Sequence, residues 1–216
     1  MFDALFTTTT EYKKLSHALS GKGACALFGL PASGRAQVYA ALCRQLDKPL
    51  CIVTPGEAEA TRFAADLNTL GIPAAVFPAR DYVLRPIEGT AREYEYRRLA
   101  VLGELVGGRL CAVAVPAEAL TQFTTPKEDF CANTRTLHAG DTLLRDDLLA
   151  ALFGAGYTRR AQVDGPGQFS VRGDIVDIFA PDQKMPVRME FWGDEIDTLH
   201  TFDLTTQRRE DAIHRS

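Results

Sequence analysis

The feature that most constrains this chain is a change of period near residue 120. Before it, short apolar runs alternate with helix-spaced stretches. After it come a polar stretch, one helix-spaced run and then short strands. Residues 24–28 read as a buried strand. A helix follows over 35–47, with Val38, Leu42 and Leu46 on one face. PLCIVTP (49–55) is a second strand. Glu57 to Leu70 is a helix with Phe63, Leu67 and Leu70 on one stripe, closed by Gly71. Ala74 to Phe77 is a third strand, ended by Pro78. Thr90-Ala91-Arg92-Glu93 has the capping-box form, so a helix should run to Gly107-Gly108. Leu110 to Val115 is a fourth strand, stopped by Pro116. Such alternation implies an α/β domain with a mostly parallel sheet and helices on its faces.

The polar stretch TQFTTPKEDFCANT carries the boundary, which divides the chain into 1–120 and 121–216. Asp141-Thr142 can cap a helix that places Leu144, Leu148 and Leu152 on one face and ends at Gly154 and Gly156. Strands are expected at Gln168–Phe179, Val187–Trp192 and Glu195–Phe202, with Gly193-Asp194 as a hairpin turn. This second part reads as a smaller α+β domain with an antiparallel sheet.

GLPASGRA (29–36) has the frame of a phosphate-binding loop. Gly29 and Gly34 stand where the turn needs glycine, but the next two positions, normally Lys and Ser or Thr, are Arg35 and Ala36. The lysine reaches the β- and γ-phosphates and the hydroxyl holds magnesium. Arg35 has a longer planar head, and Ala36 has no oxygen. No aspartate ends the strand 110–115, which continues as Pro116-Ala117-Glu118. The frame fits a degenerate, non-functional phosphate loop (Gly29, Gly34, Arg35, Ala36). An ordinary glycine turn and a working nucleotide site are the alternatives.

In Val187–Trp192, alternation gives Val187, Met189 and Phe191 to the core and Arg188, Glu190 and Trp192 to the outward face. The single tryptophan would then stand beside an arginine, and these two residue types anchor protein interfaces most often. Arg172 shares the outward direction if its strand is regular. The competing reading folds Trp192 over the sheet edge or under the first domain. Arg172-Gly173-Asp174 also spells an adhesion motif, which we treat as chance.

Charge narrows the partners. Net charge is −4, and residues 157–216 hold eight Lys or Arg against eleven Asp or Glu. That is the wrong sign for tracking phosphates, so a protein partner is favoured over nucleic acid. No apolar run approaches a membrane span, and the N-terminus lacks signal-peptide order. Cys25, Cys43, Cys51, Cys111 and Cys131 form no C-x-x-C pair, as expected of reduced, mostly core thiols in a cytoplasmic protein without zinc. Asp194-Glu195 lies in a turn without a nearby histidine and is not read as a hydrolase pair. The charged ending RREDAIHRS, just after a strand-like segment, reads as an interior point of a longer chain.

GQFSVRGDIVDIFAP, PVRMEFWGDEIDTLHTFD and TTQR together resemble the run shared by the excision-repair protein UvrB and the transcription-repair coupling factor (Mfd) family. FPARDY, RRLAVLGELVGG and CAVAVPAEAL fit the same order. UvrB has an intact phosphate loop and a β-hairpin before the helix at 90–106. Here the loop is altered and Tyr82–Thr90 is too short for a hairpin, so the resemblance is to the coupling factor's N-terminal, UvrB-like part, without its motor. In that family a third element, which would lie beyond 216, completes the first domain. The resemblance implies docking of UvrA, to bring excision repair to stalled RNA polymerase. It also implies a full-length ATP-dependent translocase that engages duplex DNA and RNA polymerase through other domains. It carries the family's UvrA-binding positions onto Arg172, Arg188 and Trp192, the last being Phe in other members. No cofactor is expected for this part. Two rivals remain: a nucleotide-binding fragment of UvrB or a related helicase, and a DNA-binding repair module.

Overall fold

The computed structural model describes residues 7–21, 24–46, 48–80 and 91–212. Thr90 and the Tyr82–Thr90 connection lie outside them. The chain divides into two compact units, Met1–Phe123 and Thr124–Ser216.

The first unit contains α1 (Thr10–Ser20), α2 (Ala32–Gln45), β1 (Leu50–Thr54), α3 (Glu57–Thr69), β2 (Ala74–Val76), α4 (Ala91–Val106), β3 (Ala112–Pro116) and the short α5 (Ala117–Leu120). The sheet is parallel, in the order β1-β3-β2. Alternate residues of β3 feed opposite layers, as a sheet covered on both faces requires. Ala112 and Ala114 pack with Ala36, Ala40, Phe63 and Leu67 of α2 and α3. Val113 and Val115 pack with Phe77 and Val101. Gly71, at φ +75°, ends α3, and Asn68 bonds both backbone polar groups of Ala74 to fix β2 beside it.

The expected strand at 24–28 is absent. Those residues are irregular and exposed, with Phe28 88% accessible. An apolar run becomes a strand only where a ladder accepts its backbone, and among the described residues β1 pairs with β3 alone. The thiols also differ from expectation. Cys43 is buried, and burial raises its pKa to about 11. Cys25, Cys51 and Cys131 are exposed. Cys25 lies in the irregular run, Cys51 on the uncovered side of β1, and Cys131 on a short helix with no buried residue.

The second unit contains α6 (Lys127–Ala132), α7 (Arg145–Gly154), β4 (Thr158–Arg159), β5 (Gln168–Arg172), β6 (Ile175–Phe179), β7 (Val187–Trp192), β8 (Glu195–Phe202) and β9 (Arg209–Ala212). They form one six-stranded sheet in chain order. It is mixed rather than wholly antiparallel, because β4 runs parallel to β5. The stretch 168–179 is two strands, turned at Gly173 with φ +61°. α7 lays Leu148 and Leu152 on Phe169, Val176, Met189, Phe191 and Ile196. Its N-cap is Leu144, without a side-chain bond. Asp141-Thr142 does not cap it: Asp141 accepts from the Ile196 amide (2.9 Å) and Thr142 bridges Glu195.

Candidate docking face

Ladder pairing sorts the sheet of the second unit into two faces. Val171, Val176, Met189 and Leu199 lie opposite one another on the α7 side. The neighbouring rows, Ser170–Asp177–Arg188–His200 and Arg172–Ile175–Glu190–Thr198, lie on the other face. A bulge follows Glu190, and Trp192 then stands opposite Glu195 at the hairpin tip. Arg172 and Trp192 are therefore on one face, roughly 12 Å apart from strand spacing and rise.

The three candidate side chains differ in state. Trp192 is 82% exposed. Arg172 is exposed at the end of β5. The turn after it is tied down by Arg145, whose guanidinium donates to the Gly173 carbonyl (2.8 Å) and to Asp174 Oδ1 (3.2 Å). Arg188 corrects the sequence reading. It takes the outward direction, yet its side chain is only 18% exposed. Its Nε donates to Asp177 Oδ1 (2.6 Å), and one terminal nitrogen donates to Asp177 Oδ2 (2.9 Å) and to Gln207 Oε1 (3.3 Å). The guanidinium lies 4.5 Å from the centre of the Phe202 ring. Asp177 itself is 1% exposed and also accepts from the Ser170 hydroxyl. The Asp177 hydrogen bond raises the Arg188 pKa despite burial. Alternation reports a side chain's direction, not what lies over it.

His200, in the same row, is 4% exposed, and its Nδ1 has no hydrogen-bond partner. Burial lowers its pKa, helped by Arg209, so the imidazole is held neutral. Sequence reasoning missed this inner cluster because Asp177 and Gln207 lie 11 and 19 residues from Arg188. It also missed Arg98, buried in the first unit, which donates to the Pro78 carbonyl and lies 4.0 Å from the Phe77 ring centre.

The glycine-framed segment takes a different form from a phosphate cradle. Gly29 has φ +80°, but α2 starts at Ala32, so Gly34, Arg35 and Ala36 are already helical. A Cβ on Gly34 would come within 3.3 Å of Pro31. Arg35 sits 3.7 Å from Glu59, and the methyl of Ala36 is buried in the core. Among the described residues no cluster of His, Cys, Asp and Glu is arranged to hold a metal, and no helix is long and apolar enough to cross a membrane.

A family model described as the UvrB interaction domain matches residues 136–216, the part of the chain that carries β4 to β9. The chain is similar to the transcription-repair-coupling factor of Mycobacterium tuberculosis, at 38% identity over 186 residues, covering 82% of this chain and 15% of that protein. The factor of Myxococcus xanthus is 34% identical over 196 residues, covering 86% and 16%. That of Bacillus subtilis is 29% identical over 184 residues, covering 84% and 16%. The chain thus spans about one-sixth of the length of the curated relatives it matches. With alignments long enough to reach into both units and the interaction domain on the second, the chain belongs to the transcription-repair-coupling factor family and corresponds to its N-terminal, UvrB-like part.

Proposed function

We propose that the second unit docks UvrA and thereby brings excision repair to stalled RNA polymerase. The docking set is Arg172, Arg188 and Trp192. The observation that carries this reading is Trp192. An 82% exposed indole gains nothing for the fold where it stands, and Arg172 shares its face. An exposed aromatic beside an arginine suits a partner offering an apolar pocket and a carboxylate. RNA polymerase and duplex DNA would be engaged by parts of the longer protein, whose translocase motor hydrolyses ATP. The cytoplasm is the compartment this role requires, and five free thiols fit it.

The first unit we read as a scaffold descended from a phosphate-loop domain, without nucleotide hydrolysis and without a cofactor. Winding of α2 back to Ala32 consumes the backbone that would wrap a phosphate. Arg35 is turned to Glu59, and position 36 has no oxygen for magnesium. Added Mg-ATP should leave the melting temperature unchanged, whereas a dose-dependent rise would establish the nucleotide reading instead.

The test of docking is capture of purified UvrA by the chain, compared with an Arg172→Ala, Trp192→Ala double variant. Binding by the first and loss in a folded second is expected. Equal capture by both would overturn the site, and a salt-sensitive shift of duplex DNA without UvrA capture would favour the DNA-binding reading.

A further inference from the structure

Arg188 is held in place, but one of its nitrogens is unspent. Asp177 takes Nε and Nη2, and Gln207 Oε1 shares Nη2. The other terminal nitrogen, Nη1, makes no hydrogen bond within the chain. It is not a buried orphan either. Among the described residues, the buried side-chain nitrogens and oxygens without a partner are Thr198 Oγ1 and His200 Nδ1. Nη1 therefore reaches the surface of a side chain that is 18% exposed.

Two contacts decide where Nη1 points. The Nε–Nη2 edge grips both oxygens of Asp177, and the guanidinium lies 4.5 Å from the centre of the Phe202 ring. A planar fork held along one edge and over a ring cannot swing freely, so its last donors are aimed before a partner arrives. Asp177, 1% exposed, also balances the charge of Arg188. The surface here presents a fixed donor rather than a free cation. Arg172 is the opposite case. It is exposed at the end of β5 and makes no ion pair among the described residues.

We infer that Arg188 contacts UvrA through Nη1 without leaving Asp177, that the group it meets is an uncharged oxygen (a main-chain carbonyl or a side-chain amide), and that Asp177 is the positioning residue for this contact. This rests on the reading of the second unit as a UvrA-docking domain. Asp177, through its hydrogen bonds, and Glu190 already favour the Arg188 cation. A partner carboxylate at Nη1 would add a third negative group beside these two, at a cost. The carboxylate on UvrA is therefore left to Arg172.

The experiment measures UvrA affinity at low and at high salt, with thermal unfolding, for the chain and for Arg188→Lys, Asp177→Asn and Arg172→Ala. Lysine keeps a charge opposite Asp177 but has no second nitrogen fixed in a plane. Arg188→Lys should stay folded and weaken UvrA at least tenfold, by the same factor at both salts. The loss in Arg172→Ala should shrink as salt rises, because that contact joins exposed charges. Asp177→Asn releases the Arg188 cation, yet it too should weaken UvrA at least tenfold. Unchanged or tighter binding by folded Asp177→Asn would overturn the inference, because Arg188 would then act as a free cation. Unaltered affinity in Arg188→Lys, or a loss there that fades at high salt, would also overturn it. So would an Arg172→Ala loss of equal size at both salts. If Asp177→Asn fails to fold, Arg188→Lys decides. If neither folds, the Arg188 Nε–H resonance of the isotope-labelled chain decides. It should keep its Asp177-bonded position when UvrA is added, and a move to the position of free arginine would overturn the inference. Failure of the unaltered chain to bind UvrA would overturn the docking reading itself and is seen before any variant is made.

Discussion

Arg35 and Arg188 both stand at positions where a motif asks for a working cation, and the fold uses them in opposite ways. Arg35 lies at the helix entry of the first unit, 3.7 Å from Glu59, with 47% and 35% of the two side chains exposed. Water screens such a pair, and its loss costs little. Arg188 lies 2.6 Å from a carboxylate on a side chain 2% exposed, with an aromatic ring beneath it. The first is a water-screened surface pair with little to hold in the fold. The second is built into the unit, and any part in docking has to pass through that structure. A residue's match to a family position therefore says where to look, while its surroundings decide whether it acts by touching a partner or by holding others in place.

The widest test of this contrast is Arg188→Ala. It leaves Asp177 charged and buried without its counter-ion, which costs about 3 kcal/mol, the low end for a broken buried pair because Arg188 keeps some exposure. A urea melt should show the loss, and an unchanged midpoint would put Arg188 in the same class as Arg35. Trp192→Ala should separate the two properties in the other direction. Its stability effect should stay within about 0.5 kcal/mol, since the indole is 82% exposed. UvrA affinity should fall by about 2 kcal/mol, roughly thirtyfold.

His200 offers a pH test of the inner cluster. Burial and then Arg209 disfavour its cation; Glu190 opposes them, and Arg188 and Asp177 add smaller effects of opposite sign. Its folded pKa lies below the ordinary 6.5, so the unfolded chain takes up the proton first as pH falls. Stability from this group is complete above about pH 6.5 and is lost as pH falls from there through the lower folded value. The part of the acid-side decline in melting temperature due to this site should vanish in His200→Gln. An identical profile in that variant would remove His200 from the account. Last, Arg35→Ala should shift stability by less than about 0.5 kcal/mol. A larger loss would erase the difference between the two arginines.

Local signals carried the elements far. Strand β7 is legible residue by residue, because Met189 and Phe191 alternate with polar partners and Gly193 supplies the positive φ of the turn. Helix α3 is legible from Phe63, Leu67 and Gly71. Non-local facts were not legible. Alternation placed Arg188 away from α7 but carried no record of Asp177, Phe202 and Gln207 closing over it. The run at 24–28 had strand composition, yet whether it pairs depends on a neighbour that composition does not specify. GLPASGRA kept the spacing of a phosphate loop, but the start of α2 at Ala32 is set by packing of Ala36 and Ala40 against the sheet. Of the candidate site, the exposure of Trp192 and Arg172 agrees with the sequence reading. The division of labour between them and Arg188 required the structure.

Recognition of UvrA through the exposed side of the second sheet is the proposal on which the site assignment depends. It is tested most directly by titrating purified UvrA against the chain in a calorimeter, with the Arg172→Ala, Trp192→Ala double variant run alongside. Saturable one-site binding to the chain is expected, with no measurable heat from the double variant and both proteins melting at the same temperature. Binding of equal affinity to both, or no binding to the unaltered chain, would contradict it.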